Sequence, residues 1–237
     1  MHIVFACIVP HAPIFLPNIG SKEDRQLVKK TIESLEILGK KLNTAKPQSI
    51  IISSPHEDWG FNVPLYFLAP DFKGEIKNYL IGSEMPEFYF KEGQKFYTKI
   101  KNSTPTPKGV GAAKPTHGRL SDFGVGAVSV GEYKVALIAS GDMSHVLKED
   151  GPYGFHPEGP RFDADLIRYL KNKDIEKIFK LDDDYPEAGE CGLRSFCFML
   201  GILEAHSASS GQAWQAEILS YEGPFGVGYL VVNFKMG

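Results

Sequence analysis

The sequence predicts an α/β fold built on parallel strands, and three observations predict it. Residues 135–141, Val-Ala-Leu-Ile-Ala-Ser-Gly, form a continuous apolar run that stops at a Ser-Gly pair. Such a run suits a buried central parallel strand better than a half-exposed one. The same device occurs twice more: residues 3–10 lead into His11, and residues 49–55 lead into His56, as 135–141 leads into Asp142 and His145. Between the first two runs lies a helical stretch, which completes a βαβ unit of ordinary length. In open α/β sheets, ligands bind beyond the C-terminal ends of the strands. His11, His56 and His145 are therefore expected to meet in one cleft.

Each element has its own signal. Pro10 and Pro13 flank His11 and restrict the backbone around it. Ser21 reads as a helix N-cap, with Glu23 and Asp24 in the first turn. Val28, Ile32, Leu35, Leu38 and Leu42 then make one apolar face at helical spacing, and 43–47 ends the helix. Phe61–Leu68 has strand composition but contains Pro64, so it reads as an edge strand or extended loop. Glu84–Lys101 reads as a helix with Phe88, Phe96 and Ile100 partly inward. Residues 105–115 read as a Pro/Gly-rich loop, and 122–130 as a strand or strand pair interrupted by Gly124 and Gly126. Residues 151–161 form a second Gly/Pro-rich loop, of a kind that often covers a strand edge. Ala164–Leu181 reads as one or two short helices, with Asp174 capping the second. Residues 186–192 make a tight turn that opens the apolar helix Leu193–Glu204. Gln215–Tyr221 and Gly226–Phe234 read as a final pair of strands.

Composition narrows the class. The 237 residues, 43% hydrophobic and 23% charged, are expected to form one domain, 1–237, with a full core. A net charge of −3 supplies no basic field for nucleic acid. No apolar run approaches the roughly 20 residues of a membrane span, and the N-terminus lacks the features of a signal peptide. Cys7, Cys191 and Cys197 do not make a disulfide framework. A cytoplasmic protein is expected, and a homodimer is the default assembly.

Seven histidines are present, and three of them at strand ends make the chemical signal. A single histidine of this kind is more often a satisfied core or loop residue. Two imidazoles with one carboxylate form the facial set of non-haem Fe(II) oxygenases. Glu190 is the best carboxylate candidate; a first-turn acid satisfying helix amides is an equal reading of it. Cys191 is the rival third ligand, and a thiolate there would suit zinc or copper. Glu187 and Glu222 are weaker alternatives. Asp142 could orient His145 as an acid or base, or cap the following turn. His117 could donate to a bound oxygen species or be structural.

Ile-Val-Pro-His-Ala-Pro ending at Pro13, Ser-Ser-Pro-His ending at His56, Thr-His-Gly around His117 and Ser-Gly-Asp-Met-Ser-His ending at His145 occur in that order. Together they resemble the class III extradiol ring-cleavage dioxygenase superfamily, which includes the catalytic β subunit of protocatechuate 4,5-dioxygenase and the Memo proteins. Small bacterial proteins related to Memo are the most similar in pattern. The resemblance implies a three-layer α/β/α sandwich with a mixed, largely parallel central sheet. It implies iron ligation by His11, His56 and Glu190, acid/base work by His145, and assistance to substrate and O2 by His117. Cys191 matches a cysteine of the Memo proteins, and the Asp142-x-x-His145 spacing is also Memo-like. The expected activity is Fe(II)-dependent extradiol cleavage of a catechol- or 2-aminophenol-type ring with O2. The alternative is a Memo-like metal-binding or partner-binding protein without ring cleavage.

Overall fold

The computed structural model describes residues 1–102 and 133–237. The chain runs through β1 (His2–Val9), α1 (Lys22–Leu27), α2 (Lys29–Ala45), β2 (Ser49–Ser54), α3 (Asp58–Leu68), β3 (Glu75–Leu80) and α4 (Pro86–Asn102). It continues through β4 (Lys134–Ser140), α5 (Glu158–Asn172), α6 (Ile175–Asp184), α7 (Leu193–Ser210), β5 (Trp214–Glu222) and β6 (Tyr229–Met236). The described strands form one sheet in the order β3-β2-β4-β1-β6-β5. The β3-β2-β4-β1 pairs are parallel, and β1-β6 and β6-β5 are antiparallel. The mixed, mostly parallel sheet matches the expectation.

Alternation along the strands makes the layers. In β4, Val135, Leu137 and Ala139 join one core, while Ala136 and Ile138 join the other. In β2, Ile51 faces the first core, and Ile50 and Ile52 face the second. The first core is filled by Phe96 of α4, Leu166 of α5, Ile178 of α6 and Phe198 of α7. The second is filled by Leu35, Leu38 and Leu42 of α2 and by Phe61 and Val63 of α3. Strands buried on both faces read as unbroken apolar runs, which is why they are visible in the sequence. No helix among the described residues is long and apolar enough to cross a membrane.

The helices mostly follow their sequence signals. Ser21 accepts from the Asp24 amide, and the Asp24 carboxylate accepts from the Ser21 amide, closing a capping box on α1. The single helix expected from Ser21 onward is divided at Val28 into α1 and α2. Helix α5 begins at Glu158, inside the stretch expected to be loop. Asp174 stands at the N-cap of α6, although its side chain makes no capping hydrogen bond. Phe88 points outward at 45% exposure, whereas Phe96 is buried as expected.

One expectation is corrected outright. Phe61–Leu68 is neither edge strand nor loop but part of α3, with Pro64 inside the helix. Proline cannot donate to the carbonyl four residues back. Here that carbonyl belongs to Gly60, and it accepts the Ser140 hydroxyl at 2.5 Å instead. A partner from another element thus offsets the defect that disfavours a helix in local terms. The edge strand beside β2 proves to be β3, further along the chain. The expected strand at 122–130 and the loop at 105–115 lie outside the described residues.

Candidate metal centre

Sheet order and register bring the histidines together. β2, β4 and β1 are adjacent and parallel, so their C-terminal ends lie side by side. Val9 pairs with Ser140, and Ser53 pairs with Ala139. His11, Asp142 and His56 each follow the end of a strand by two residues, so they emerge at the same level of the sheet edge. β1 and β2 flank β4, so their backbones lie two strand spacings apart, about 9.6 Å, and the side chains reach across β4 to bring the His11 and His56 ring centroids to 5.0 Å.

The third donor at this edge is Cys191. Donor atoms of His11, His56 and Cys191 all lie within 4.8 Å of one another, as do those of Asp142, His145 and Cys191. The Cys191 Sγ is 3.6 Å from His11 Nε2 and accepts from the Asp142 amide at 3.3 Å. Two glycines permit this approach. A side chain on Gly141 would run into the Gly192 backbone, and one on Gly192 would meet the Phe196 ring and, at 2.9 Å, the Asp142 carbonyl. With both absent, the Asp142 carbonyl accepts from the Gly192 amide at 3.0 Å and ties the turn before α7 to the end of β4.

Glu190 is held elsewhere. Its Oε2 accepts from the Leu193 amide at 2.6 Å, at the start of α7, and its Oε1 pairs with Arg194 Nη1 at 3.1 Å. Arg194 in turn reaches Asp182 at 2.7 Å and the Glu84 carbonyl at 2.8 Å. The carboxylate that lies beside the histidines is Asp142, with Oδ2 3.9 Å from His11 Nε2 and Oδ1 accepting the His11 amide at 2.9 Å. His117 lies outside the described residues.

The electrostatics favour neutral imidazoles, the form that binds a metal. Burial, then the neighbouring His56, lowers the His11 pKa to about 3. Burial also lowers His145, against an opposing pull from Asp142. Asp142 is pushed up to about 6 by burial, against the His11 amide that favours its charged form. Burial raises the Cys191 thiol well above its ordinary value. A bound cation would reverse that preference, because a coordinating thiol is deprotonated outright.

The donor set fits a transition metal. Two imidazoles and a sulfur suit zinc or copper, and Asp142 is the carboxylate at hand for a harder ion such as Fe(II). His145 completes the site, its ring stacked on Tyr153 at 5.2 Å between centroids and 24° between planes. Sequence reasoning does not single out Tyr153 or Ser140. The signal of Ser140 is only that it ends an apolar run, and Tyr153 stands unmarked in a loop.

Comparison with known proteins follows the same line. Residues 108–232 match the family model described as the catalytic LigB subunit of aromatic ring-opening dioxygenase. Protein CA_C1420 of Clostridium acetobutylicum is 33% identical over 271 residues, covering 96% of this chain and 56% of its own length. The chain thus spans little more than half of that relative. The crystal structure of the uncharacterized protein JW3007 from Escherichia coli K12 aligns with a TM-score of 0.55 at 14% identity, covering 97% of this chain and 98% of that one. That likeness shows the fold alone.

Proposed function

Because the chain belongs to the family of the catalytic LigB subunit of aromatic ring-opening dioxygenases, we propose that it is a metal-dependent protein holding its ion on His11, His56 and Cys191. One observation carries this reading: Cys191, not Glu190, shares the 4.8 Å donor cluster with both histidines. Both Glu190 oxygens are engaged by the α7 amide and Arg194. Two imidazoles and one soft thiolate point to copper or zinc, or to Fe(II) with Asp142 as an added carboxylate. This is the Memo-like arrangement within the superfamily.

A second reading is favoured by the group beside the donors. A neutral His145, next to Asp142 and stacked on Tyr153, suits a general base for a phenolic proton. On this reading the chain opens a catechol- or 2-aminophenol-type ring with O2, and a bound Fe(II) would supply Lewis acidity to the substrate's phenolic oxygen and electron density to O2. His145 would take the substrate proton at a ring nitrogen and return it later. Asp142 would orient that imidazole through its charge.

The test loads the metal-free protein anaerobically with Fe(II), and separately with zinc or copper. Metal content is then measured in the parent, Cys191→Ala and Glu190→Ala. Loss of metal in Cys191→Ala and retention in Glu190→Ala supports the site of two histidines and one thiolate. The reverse result overturns it. Turnover of catechols and 2-aminophenols by the Fe(II)-loaded parent decides for ring opening, and its absence across both classes decides against.

A further inference from the structure

The helix that contradicts the sequence expectation touches the ends of β2 and β4 through one turn, and reaches His11 through Ser140. At Gly60, the first turn of α3 lies so close to β2 that a side chain would collide with Ser54 Oγ and come within 3.2 Å of His56 Cβ. The Gly60 carbonyl, which Pro64 deprives of the usual donor four residues on, accepts the Ser140 hydroxyl at 2.5 Å. Ser140 Oγ lies 3.1 Å from His11 Nδ1. All three residues are enclosed: Ser140 is 0% and His11 5% exposed, and Gly60 is buried.

A serine hydroxyl has one proton and two lone pairs. With that proton on the Gly60 carbonyl, Ser140 can only accept from the imidazole. We propose that Pro64 and Ser140 fix the tautomer of His11, placing the ring proton on Nδ1 and turning the bare Nε2 toward Cys191. The opposite tautomer would need the Ser140 proton for Nδ1, and would leave the buried Gly60 carbonyl without a donor. Native proteins rarely leave such a group unpaired. The His11 Nε2 is the atom that lies 3.6 Å from Cys191 Sγ, so the relay presents a lone pair where the donor cluster needs one. Hydrogen bonds of this kind set both tautomer and ring orientation in metal-ligating histidines. Pro64 and Ser140 are thus positioning residues. Neither touches the ion, and the consequence for metal binding rests on the function proposed above.

The tautomer itself is read without any metal. Two-bond 1H–15N correlation spectra of the 15N-labelled, metal-free protein at mildly alkaline pH distinguish an Nδ1–H from an Nε2–H ring. The parent should show His11 as the Nδ1–H form, assigned by its loss in His11→Gln. Ser140→Ala should shift His11 toward the Nε2–H form and weaken metal binding by roughly 10- to 100-fold. In Pro64→Ala the Gly60 carbonyl regains a helical donor, so the Ser140 proton is freed in part and the shift should be smaller but in the same direction. An Nε2–H ring in the parent overturns the proposal, even if Ser140→Ala fails to fold. An unchanged Nδ1–H ring in folded Ser140→Ala also overturns it, and an unchanged ring in Pro64→Ala removes the proline from the relay. A parent with the expected tautomer but no metal affinity would overturn the metal site while leaving the tautomer assignment intact.

Discussion

Replacing Glu190 with alanine should cost the fold about 2 kcal/mol and leave the metal in place. The side chain is 7% exposed, accepts from the Leu193 amide and pairs with Arg194. Losing the acceptor for the Leu193 amide leaves a helix-start donor unpaired, worth roughly 1–3 kcal/mol. Losing the Arg194 pair costs less, about 1 kcal/mol, because Arg194 keeps Asp182 at 2.7 Å and the Glu84 carbonyl at 2.8 Å. Burial pushes the Glu190 carboxyl up to about 7, and removing that buried acid offsets part of the loss. For a chain of this size, about 2 kcal/mol lowers Tm by roughly 4–8 °C. The assay is thermal unfolding of the metal-free parent and variant, with metal content measured on the reloaded proteins. A variant that melts like the parent but no longer takes up metal would refute the reasoning, because Glu190 would then be a ligand and not a brace for α7.

Further outcomes are expected from the same geometry. Cys191→Ala should weaken copper or zinc binding by more than the roughly 10- to 100-fold typical of losing an outer partner, measured by competition with a chelator, with little change in the Tm of the metal-free protein. If the Fe(II)-loaded parent opens an aromatic ring, His145→Ala should keep a folded structure and lose turnover by roughly 10²–10⁴-fold; unchanged turnover would take His145 out of the chemistry. Gly192→Ala should lower stability by about 1–3 kcal/mol, since the added methyl meets the Phe196 ring and the Asp142 carbonyl, and denaturant unfolding would detect it. Asp163, 1% exposed and bonded by the Tyr221 hydroxyl and the Ser144 amide, is raised to about 7 by burial. A carboxyl raised in the folded state binds its proton more tightly there, so its contribution is full below about pH 4 and is lost as pH rises to about 7, by roughly 1.4 kcal/mol per pH unit at most. Asp163→Asn should therefore gain on the parent across that window in denaturant unfolding, and a difference independent of pH would contradict the assignment.

Much of the fold is legible because its signals are local. Strands buried on both faces must be apolar throughout, and the runs that mark β1, β2 and β4 end within a residue or two of the observed strands. The α2 face and the Ser21 cap follow from spacing alone. The helix α3 does not, because Pro64 argues against a helix in any local reading. The donor that makes it tolerable is the Ser140 hydroxyl, 80 positions along the chain from Gly60. β3 escapes sequence reasoning because its pattern is weak: Glu75–Leu80 is an edge strand whose residues are exposed or half-buried.

The sequence by itself determined that His11, His56 and Asp142 would follow three buried strands, and hence that a polar cluster would form at one sheet edge. Strand order and register then had to set them level, and those depend on pairings between distant segments. Only the tertiary structure decided which of two adjacent residues stands beside the histidines. Glu190 and Cys191 are equally close to the cleft in sequence. The contact of Gly141 with Gly192, and the bond from the Gly192 amide to the Asp142 carbonyl at 3.0 Å, orient the turn so that sulfur faces the histidines. Arg194 and the α7 amide hold the carboxylate away. The physical reason is that a side chain's direction in a turn is set by what the backbone on either side packs against. Here those neighbours come from the end of β4, far along the chain and beyond the reach of local periodicity.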